Sequence, residues 1–350
     1  MKKTGLLLIL LLATFISTAQ VQSYYSDVDL TKRGMDLKNE LATKIINTHT
    51  TQLSYSDLWN VLKQTDEADD DASKVYLIYG WENGSDSDCH NDRERDKNDN
   101  GGSAANCDWN REHVYPKSLG TPPLGTSGPG SDAHHVRPAD VSLNGHRGNK
   151  LFADGSGHAG TVNGQYWYPG DEWKGDVARI ILYMYLRYGS QCLPSNVGVG
   201  NQVASDPDMV DIFLQWNADD PPSAAEDRRN NLLENIQGNR NPFIDNPYLA
   251  TLIWGGPQAQ DRWQMSLSGN HFDNQVNIYP NPAHDKIHID VPGETYYMTI
   301  TDTTGKVILW QHGIDEKRVW NIGDLPDDIY FIIIRTDKGE SVKKLVKQSH

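Results

Sequence analysis

Two stretches decide the fold: Asn110-Arg111-Glu112-His113-Val114-Tyr115-Pro116, and Asp132-Ala133-His134-His135-Val136-Arg137-Pro138-Ala139-Asp140-Val141-Ser142-Leu143-Asn144-Gly145-His146-Arg147-Gly148-Asn149. The first sets a carboxylate and an imidazole side by side, next to a guanidinium. Neighbouring side chains of a regular strand face opposite ways, so Glu112 and His113 serve one site only where the backbone is irregular. Pro116 has no N–H to give a ladder and fits a strand end. In the second stretch a short strand-like run ends at Pro138, and Asp140 fits the N-cap of a helix. Asn144 and Arg147 are three apart and share one face of that helix. Strand, loop, strand, helix is a ββα unit. It can hold one hard divalent cation between Glu112 and Asn144, with His113 alongside. Such oxygen donors suit Mg²⁺, Mn²⁺ or Ca²⁺ better than zinc.

Charge singles out the same region. The 350-residue chain has a formal net charge of −15, which argues against a polyanion binder that works by overall basicity. Within residues 109–150, however, Arg111, Lys117, Arg137, Arg147 and Lys150 outnumber Glu112, Asp132 and Asp140, and His113, His134, His135 and His146 lie among them. A basic, histidine-rich island in an acidic chain points to a local site for an anionic substrate. Chance clustering on a solvated surface is the plain alternative.

The flanking sequence reads as helix-rich. Residues 32–63 carry apolar positions at helical spacing, residues 74–81 read as a strand, and residues 82–106 as a polar loop. Residues 176–188 form an apolar helix candidate, and Ser223 with Glu226 reads as a capping box that opens a helix stopping at Gly238. From Val276 onward, short runs rich in Val, Ile, Thr and Tyr alternate with turn signals, which predicts a small β-sandwich. The expected fold class is α+β: a mostly helical domain with a ββα core over 20–270, then an all-β domain over 271–350. Ten Trp and sixteen Tyr argue against disorder.

The N-terminus reads as an address. Lys2 and Lys3 precede an apolar run over 5–16 and the small residues Ser17-Thr18-Ala19, the pattern of a secretory signal peptide over 1–19. No later window approaches the roughly 18–20 apolar residues of a membrane span. Export permits a disulfide. Cys89 and Cys107 bracket one polar loop and are the expected pair, although with Cys192 three single pairings exist.

The Arg111–Pro116 and Asn144–Asn149 runs, taken together, resemble the bacterial endonuclease I family of secreted ββα-metal nucleases. The segment over 178–188 is similar to that family's apolar helix, and Gln237-Gly238-Asn239-Arg240-Asn241-Pro242-Phe243 to its closing run. The resemblance implies that Glu112 and Asn144 bind Mg²⁺ (or Mn²⁺ or Ca²⁺) and that His113 is the general base. It implies that Arg147 or Asn149 touches the scissile phosphate or supports the helix, and that Arg111 is a phosphate contact. His146 departs from the family's usual Asp, and its role stays open between tuning the site and touching substrate. His134-His135 stands where the family often has His-Asn, so His135 could orient the site or be structural. The implied activity is sequence-nonspecific cleavage of DNA, with RNA second, leaving 5′-phosphate and 3′-hydroxyl ends. Trp109, Tyr115 and Trp167 are available for base stacking, although core packing is the commoner use of each.

Three further patterns complete the reading. Asp96-Lys97-Asn98-Asp99-Asn100-Gly101 matches half of a calcium loop, but Cys107 stands where the ligating Glu belongs, so an additional structural Ca²⁺ competes with a solvated loop. Gly155-Ser156-Gly157-His158-Ala159-Gly160 lacks a helix after it and does not read as a dinucleotide site. The strands from Val276, closing on Lys343-Lys344-Leu345-Val346-Lys347, resemble the type IX secretion sorting domain, which implies an extracellular or cell-surface protein engaging that machinery. A monomer is expected. The rivals are a noncatalytic, cation-stabilised surface protein and a phosphodiesterase acting on small phosphates.

Overall fold

The structure, a computed structural model, describes residues 23–265, 276–291, 295–315, 318–336 and 339–348. The expected signal peptide and the expected domain break over 266–274 lie outside them. The helices are α1 (Gly34–Thr48), α2 (Leu58–Thr65), α3 (Val141–Arg147), α4 (Lys174–Tyr188), α5 (Asp211–Asp219), α6 (Ala224–Gln237), α7 (Pro242–Asp245) and α8 (Tyr248–Trp254). Among them run short antiparallel pairs: β1 (Lys74–Tyr76) with β2 (Glu94–Asp96), β3 (Trp109–His113) with β4 (Val136–Asp140), β5 (Gly160–Val162) with β6 (Tyr166–Tyr168), and β7 (Gln202–Val203) with β8 (Asp206–Val210). None of the described helices is long and apolar enough to cross a membrane.

The long helical pattern over 32–63 divides into α1 and α2, separated by the polar run Thr50–Ser56. The run over 74–81 gives only a three-residue strand: at Tyr79 the backbone turns left-handed, with φ of 78°. Tyr79 itself is fully buried in the main core.

α4 is buried on nearly every side and lies in the middle of the main core, packed on α5 and α1. A second cluster, including Leu58, Leu62, Val75, Trp109, Val136 and Leu233, lies between α2, α6 and the β3–β4 hairpin. All five residues of β4 are buried, including Arg137. Arg137 pays for its burial with ion pairs to Asp66 at 2.6 Å and Asp176 at 3.0 Å. Arg229 of α6 pairs with the same Asp66 and donates to the carbonyls of Ala133 and Val136. Arg179 of α4 meets Glu226 in a two-pronged pair at 2.7 Å, which also closes the Ser223–Glu226 capping box. The hairpin that carries the candidate site is therefore bolted to α2, α4 and α6 by buried charge.

The Gln237–Phe243 run is scaffold. Gln237 donates to Asp132 at 3.0 Å and accepts from the Ala133 N–H at 2.7 Å. Asn239 donates to the Tyr183 hydroxyl, and Asn241 caps α7 by accepting from the Phe243 N–H. Gly238 ends α6 at φ of 93°, and a Cβ there would sit 2.3 Å from the Thr48 carbonyl oxygen, so only glycine fits.

Among the described residues from 276 to 348 every regular element is a strand. β9 (Asn277–Tyr279), β10 (Lys286–Asp290) and β13 (Arg318–Asn321) form one sheet, and β11 (Thr295–Thr301), β12 (Val307–Asp315), β14 (Ile329–Thr336) and β15 (Gly339–Val346) the other. Their shared core includes Ile287, Ile289, Met298, Ile300, Ile332, Ile334 and Leu345, the alternate positions of each strand, as a half-buried sheet requires.

Candidate active site

The expected ββα unit is formed. β3 pairs antiparallel with β4, setting Glu112 opposite Arg137 and His113 opposite Val136. Asp140 caps α3 by accepting from the N–H groups of Ser142 at 2.8 Å and Leu143 at 3.1 Å. Asn110 and Glu112 leave β3 on the α3 side. Asn110 Oδ1 accepts from Asn144 Nδ2 at 2.6 Å, and Glu112 Oε1 lies 3.3 Å from Arg147 Nη1. Spending its Nδ2 on Asn110 turns the amide oxygen of Asn144 away as a free lone-pair donor. Glu112 Oε1 also accepts from the Tyr79 hydroxyl at 2.9 Å. Burial pushes the Glu112 carboxyl up, against the pull of Arg147 and Tyr79.

His113 leaves β3 on the other side. Its Nε2 lies 2.9 Å from the Gly130 carbonyl oxygen, so Nε2 carries the proton and Nδ1 the lone pair. The ring stacks on Tyr55 at 5.4 Å and meets the edge of His135 at 5.4 Å. Burial, with His135 next, pushes His113 down to about 3, so the imidazole is neutral well below the mildly alkaline range that its ordinary value would require. Glu112 and His113 do face opposite ways, as a regular strand dictates. The strand stops at His113.

Arg147 closes that end. Its guanidinium donates to the carbonyls of His113 at 3.3 Å and Val114 at 2.8 Å, as well as facing Glu112, and it lies 4.7 Å over the Phe152 ring. It is 1% exposed. Arg147 holds the strand end and Glu112 together, and almost none of it meets solvent. His135 is enclosed as well. It is fully buried and its Nε2 donates to the Pro129 carbonyl at 2.6 Å. A lone charge or imidazole in sequence carries no sign of its burial.

The remaining candidates lie nearer solvent. Arg111 is half-buried, with its guanidinium 3.6 Å over Tyr55 and 4.2 Å over Trp59. His146 is exposed beside an open cleft of about 520 Å³ lined by Leu143, Gly145, Lys150, Thr161 and Trp167 among others. Asn149 is exposed and reaches Ser118 at 3.5 Å. The basic island thus divides: Arg137 and Arg147 are consumed inside the fold, while Arg111, Lys117 and Lys150 remain partly exposed. Trp109, Tyr115 and Trp167 are buried and belong to the core.

The Cys89–Cys107 disulfide is formed, and Cys192 is a buried thiol. Arg95 donates to the carbonyls of both bridged cysteines and lies 3.6 Å from Asp140, and His90 Nδ1 meets Asp140 at 3.1 Å. The bridged loop thereby buttresses the cap of the helix that carries Asn144. Within the half-matched calcium loop, Asp96 accepts from the Asn98 N–H.

Sequence reasoning missed four participants. Asn110 was legible, since it lies two residues before Glu112 on the same strand face. Tyr79, Gly130 and Tyr55 come from distant segments, and no local spacing announces them. The donor set fits a hard divalent cation: one carboxylate and one amide oxygen, both oriented by second partners. Among the described residues no group of three or more His, Cys, Asp or Glu side chains gathers to cage a metal. Two protein oxygens suit an ion that keeps waters and takes phosphate oxygens, the habit of Mg²⁺.

A family model described as Endonuclease I matches residues 33–248, and one described as a secretion system C-terminal sorting domain matches residues 277–348. An extracellular ribonuclease of Bacillus amyloliquefaciens is 42% identical over 253 residues, which cover 69% of this chain and 81% of that protein. An extracellular ribonuclease of Bacillus subtilis is 42% identical over 247 residues, covering 67% and 80%. A solved surface component of the type-IX secretion system of Porphyromonas gingivalis overlaps 23% of this chain with a TM-score of 0.21 and 20% identity, which carries no weight.

Proposed function

The chain belongs to the endonuclease I family, and from that premise we propose that it is a divalent-metal-dependent, sequence-nonspecific endonuclease cleaving DNA and RNA to 5′-phosphate ends. It is a secreted or cell-surface nuclease with a type IX sorting domain at its C-terminus. We read residues 1–19 as its signal peptide. The name carried by both Bacillus relatives supports RNA among the substrates. The observation that carries the reading is the His113 Nε2–Gly130 contact, which leaves Nδ1 as an oriented proton acceptor at the end of β3.

Glu112 and Asn144 would hold the cation, Mg²⁺ in the first place. When bound, it neutralises charge on the scissile phosphate and on the departing oxygen. The chain's own residues do the rest. His113 Nδ1 takes the proton of the attacking water. Arg147 fixes the end of β3 and balances the buried charge of Glu112. Tyr79 and Asn110 orient the carboxylate and the amide. Backbone-directed contacts of this kind read no sequence.

The test is nicking of supercoiled plasmid by the purified chain with Mg²⁺, Mn²⁺, Ca²⁺ or EDTA, beside His113→Ala. Circular DNA has no end, so opening it requires an endonuclease. Cleavage that needs both a cation and His113 is the expected result. Folded protein that opens no plasmid with any of the three ions would overturn the reading.

A further inference from the structure

On the His113 side of β3 lies a group that the chemistry described so far does not use. The Tyr55 ring, half-buried, covers this face of the strand. It stacks on His113 at 5.4 Å with 25° between the planes. The Arg111 guanidinium lies 3.6 Å over the same ring, and Lys117 Nζ lies 5.2 Å from its centre. Arg111 and His113 are two residues apart and project from one side of the strand, and the ring that meets both keeps part of its surface open to solvent. The arrangement is braced. Arg111 Nη1 donates to the Tyr55 carbonyl, and Ser131 Oγ donates to the Leu53 carbonyl at 2.6 Å. That second bond ties the Tyr55 segment to the 128–131 turn, whose Gly130 carbonyl holds His113.

Core formation does not explain the grouping. Two cations converge on one half-exposed ring in a chain of net charge −15. The Arg111 Nε is buried with no hydrogen-bond partner. The neighbouring island cations Arg137 and Arg147 are spent on buried partners, whereas Arg111 and Lys117 keep exposed surface. An aromatic face flanked by cations is how proteins hold a single nucleic-acid strand: the base stacks on the ring and the phosphates meet the charges.

We propose that Tyr55, with Arg111 and Lys117, is a subsite for one unpaired nucleotide next to the scissile phosphate, so that the enzyme prefers single-stranded nucleic acid. The inference rests on the nuclease reading of His113. Bases within a duplex are stacked on each other, and a protein ring reaches a base face only when that base leaves the stack. Tyr55 therefore favours single strands, loops and ends over intact helix.

The experiment uses the full chain and one labelled 12-nucleotide DNA sequence, supplied as a single strand and as its duplex, with Mg²⁺. In Tyr55→Ala the ratio of kcat/KM on single strand to kcat/KM on duplex is expected to fall about tenfold or more, the size of one base-stacking contact. Tyr55→Phe keeps the π face and is expected to keep the ratio. Should Tyr55→Ala fail to fold, Tyr55→Leu retains bulk without the ring and reads the same quantity. Stacking is also read without turnover. In the His113→Ala background, a 2-aminopurine single strand is quenched by the protein, and adding Tyr55→Leu removes the quench. Loss of both rates in parallel, or a ratio and quench that do not move, overturns the subsite and leaves Tyr55 as support for His113. If the unaltered chain cleaves neither substrate with any divalent ion, the nuclease reading has failed, and the quench still decides the subsite.

Discussion

His113 Nε2 lies 2.9 Å from the carbonyl oxygen of Gly130, and that contact decides which nitrogen can work. A carbonyl only accepts, so Nε2 must donate, and Nδ1 is left with its lone pair. Tyr55 and His135 fix the plane of the ring, and burial keeps it neutral.

His113→Ala is expected to lower plasmid nicking by at least about 100-fold, the low end for a lost general base, while the circular-dichroism spectrum and melting temperature stay close to those of the unaltered chain. His113→Gln, which can still bond to Gly130, should be equally inactive. Activity within a few-fold of normal in either variant would remove His113 from the mechanism.

Asn110 touches no substrate in the proposed reaction, yet it holds the amide of Asn144. Asn110→Ala should raise the Mg²⁺ concentration needed for half-maximal cleavage about 10-fold or more, as loss of a second partner to a metal ligand does. Saturating Mg²⁺ should restore much of the rate. A drop in rate that added Mg²⁺ does not relieve would place Asn110 elsewhere.

Arg147 separates a structural from a substrate role. Arg147→Met leaves the buried Glu112 without its ion pair and the carbonyls of His113 and Val114 without a donor. Urea unfolding should show a loss of about 3 kcal/mol or more. A surface phosphate contact would instead cost affinity and leave stability intact, so a stable variant with raised KM would contradict the placement of Arg147.

Acid should destabilise the fold through His134 and its neighbour. Burial pushes both His134 and His135 down to about 4, despite the nearby Asp132. Between their unfolded value of about 6.5 and about 4 the unfolded chain binds protons that the folded rings refuse. Stability from these rings is complete above about 6.5, falls as the pH drops through this window, and levels off below about 4. Comparing urea midpoints of the unaltered chain and His134→Gln at pH 7, 5.5 and 4.5 isolates one ring, because the other titrations cancel in the difference. The variant should lose distinctly less stability on acidification; parallel losses would mean that His134 does not titrate in this window.

Much of this molecule is local, and the local part is legible. The Asp140 cap, the shared helix face of Asn144 and Arg147, and the Ser223–Glu226 capping box each depend on residues within about four positions of one another. The alternating strands after Val276 are set by a period of two. Cys89 and Cys107 bracket one loop and close on each other across it. Periodicity and capping are properties of neighbours, so a single sequence carries them in full. What covers each face is a different matter. Glu112 is met by Tyr79 from 33 residues away, and the Tyr55 ring that covers His113 comes from 58 residues upstream. Arg147 and Arg111 are both guanidiniums on a motif residue, yet one is enclosed and the other half-exposed. Spacing states which side of a strand or helix a residue faces; only the closing of long loops brings up the partners that bury it, orient it or leave it open to a substrate.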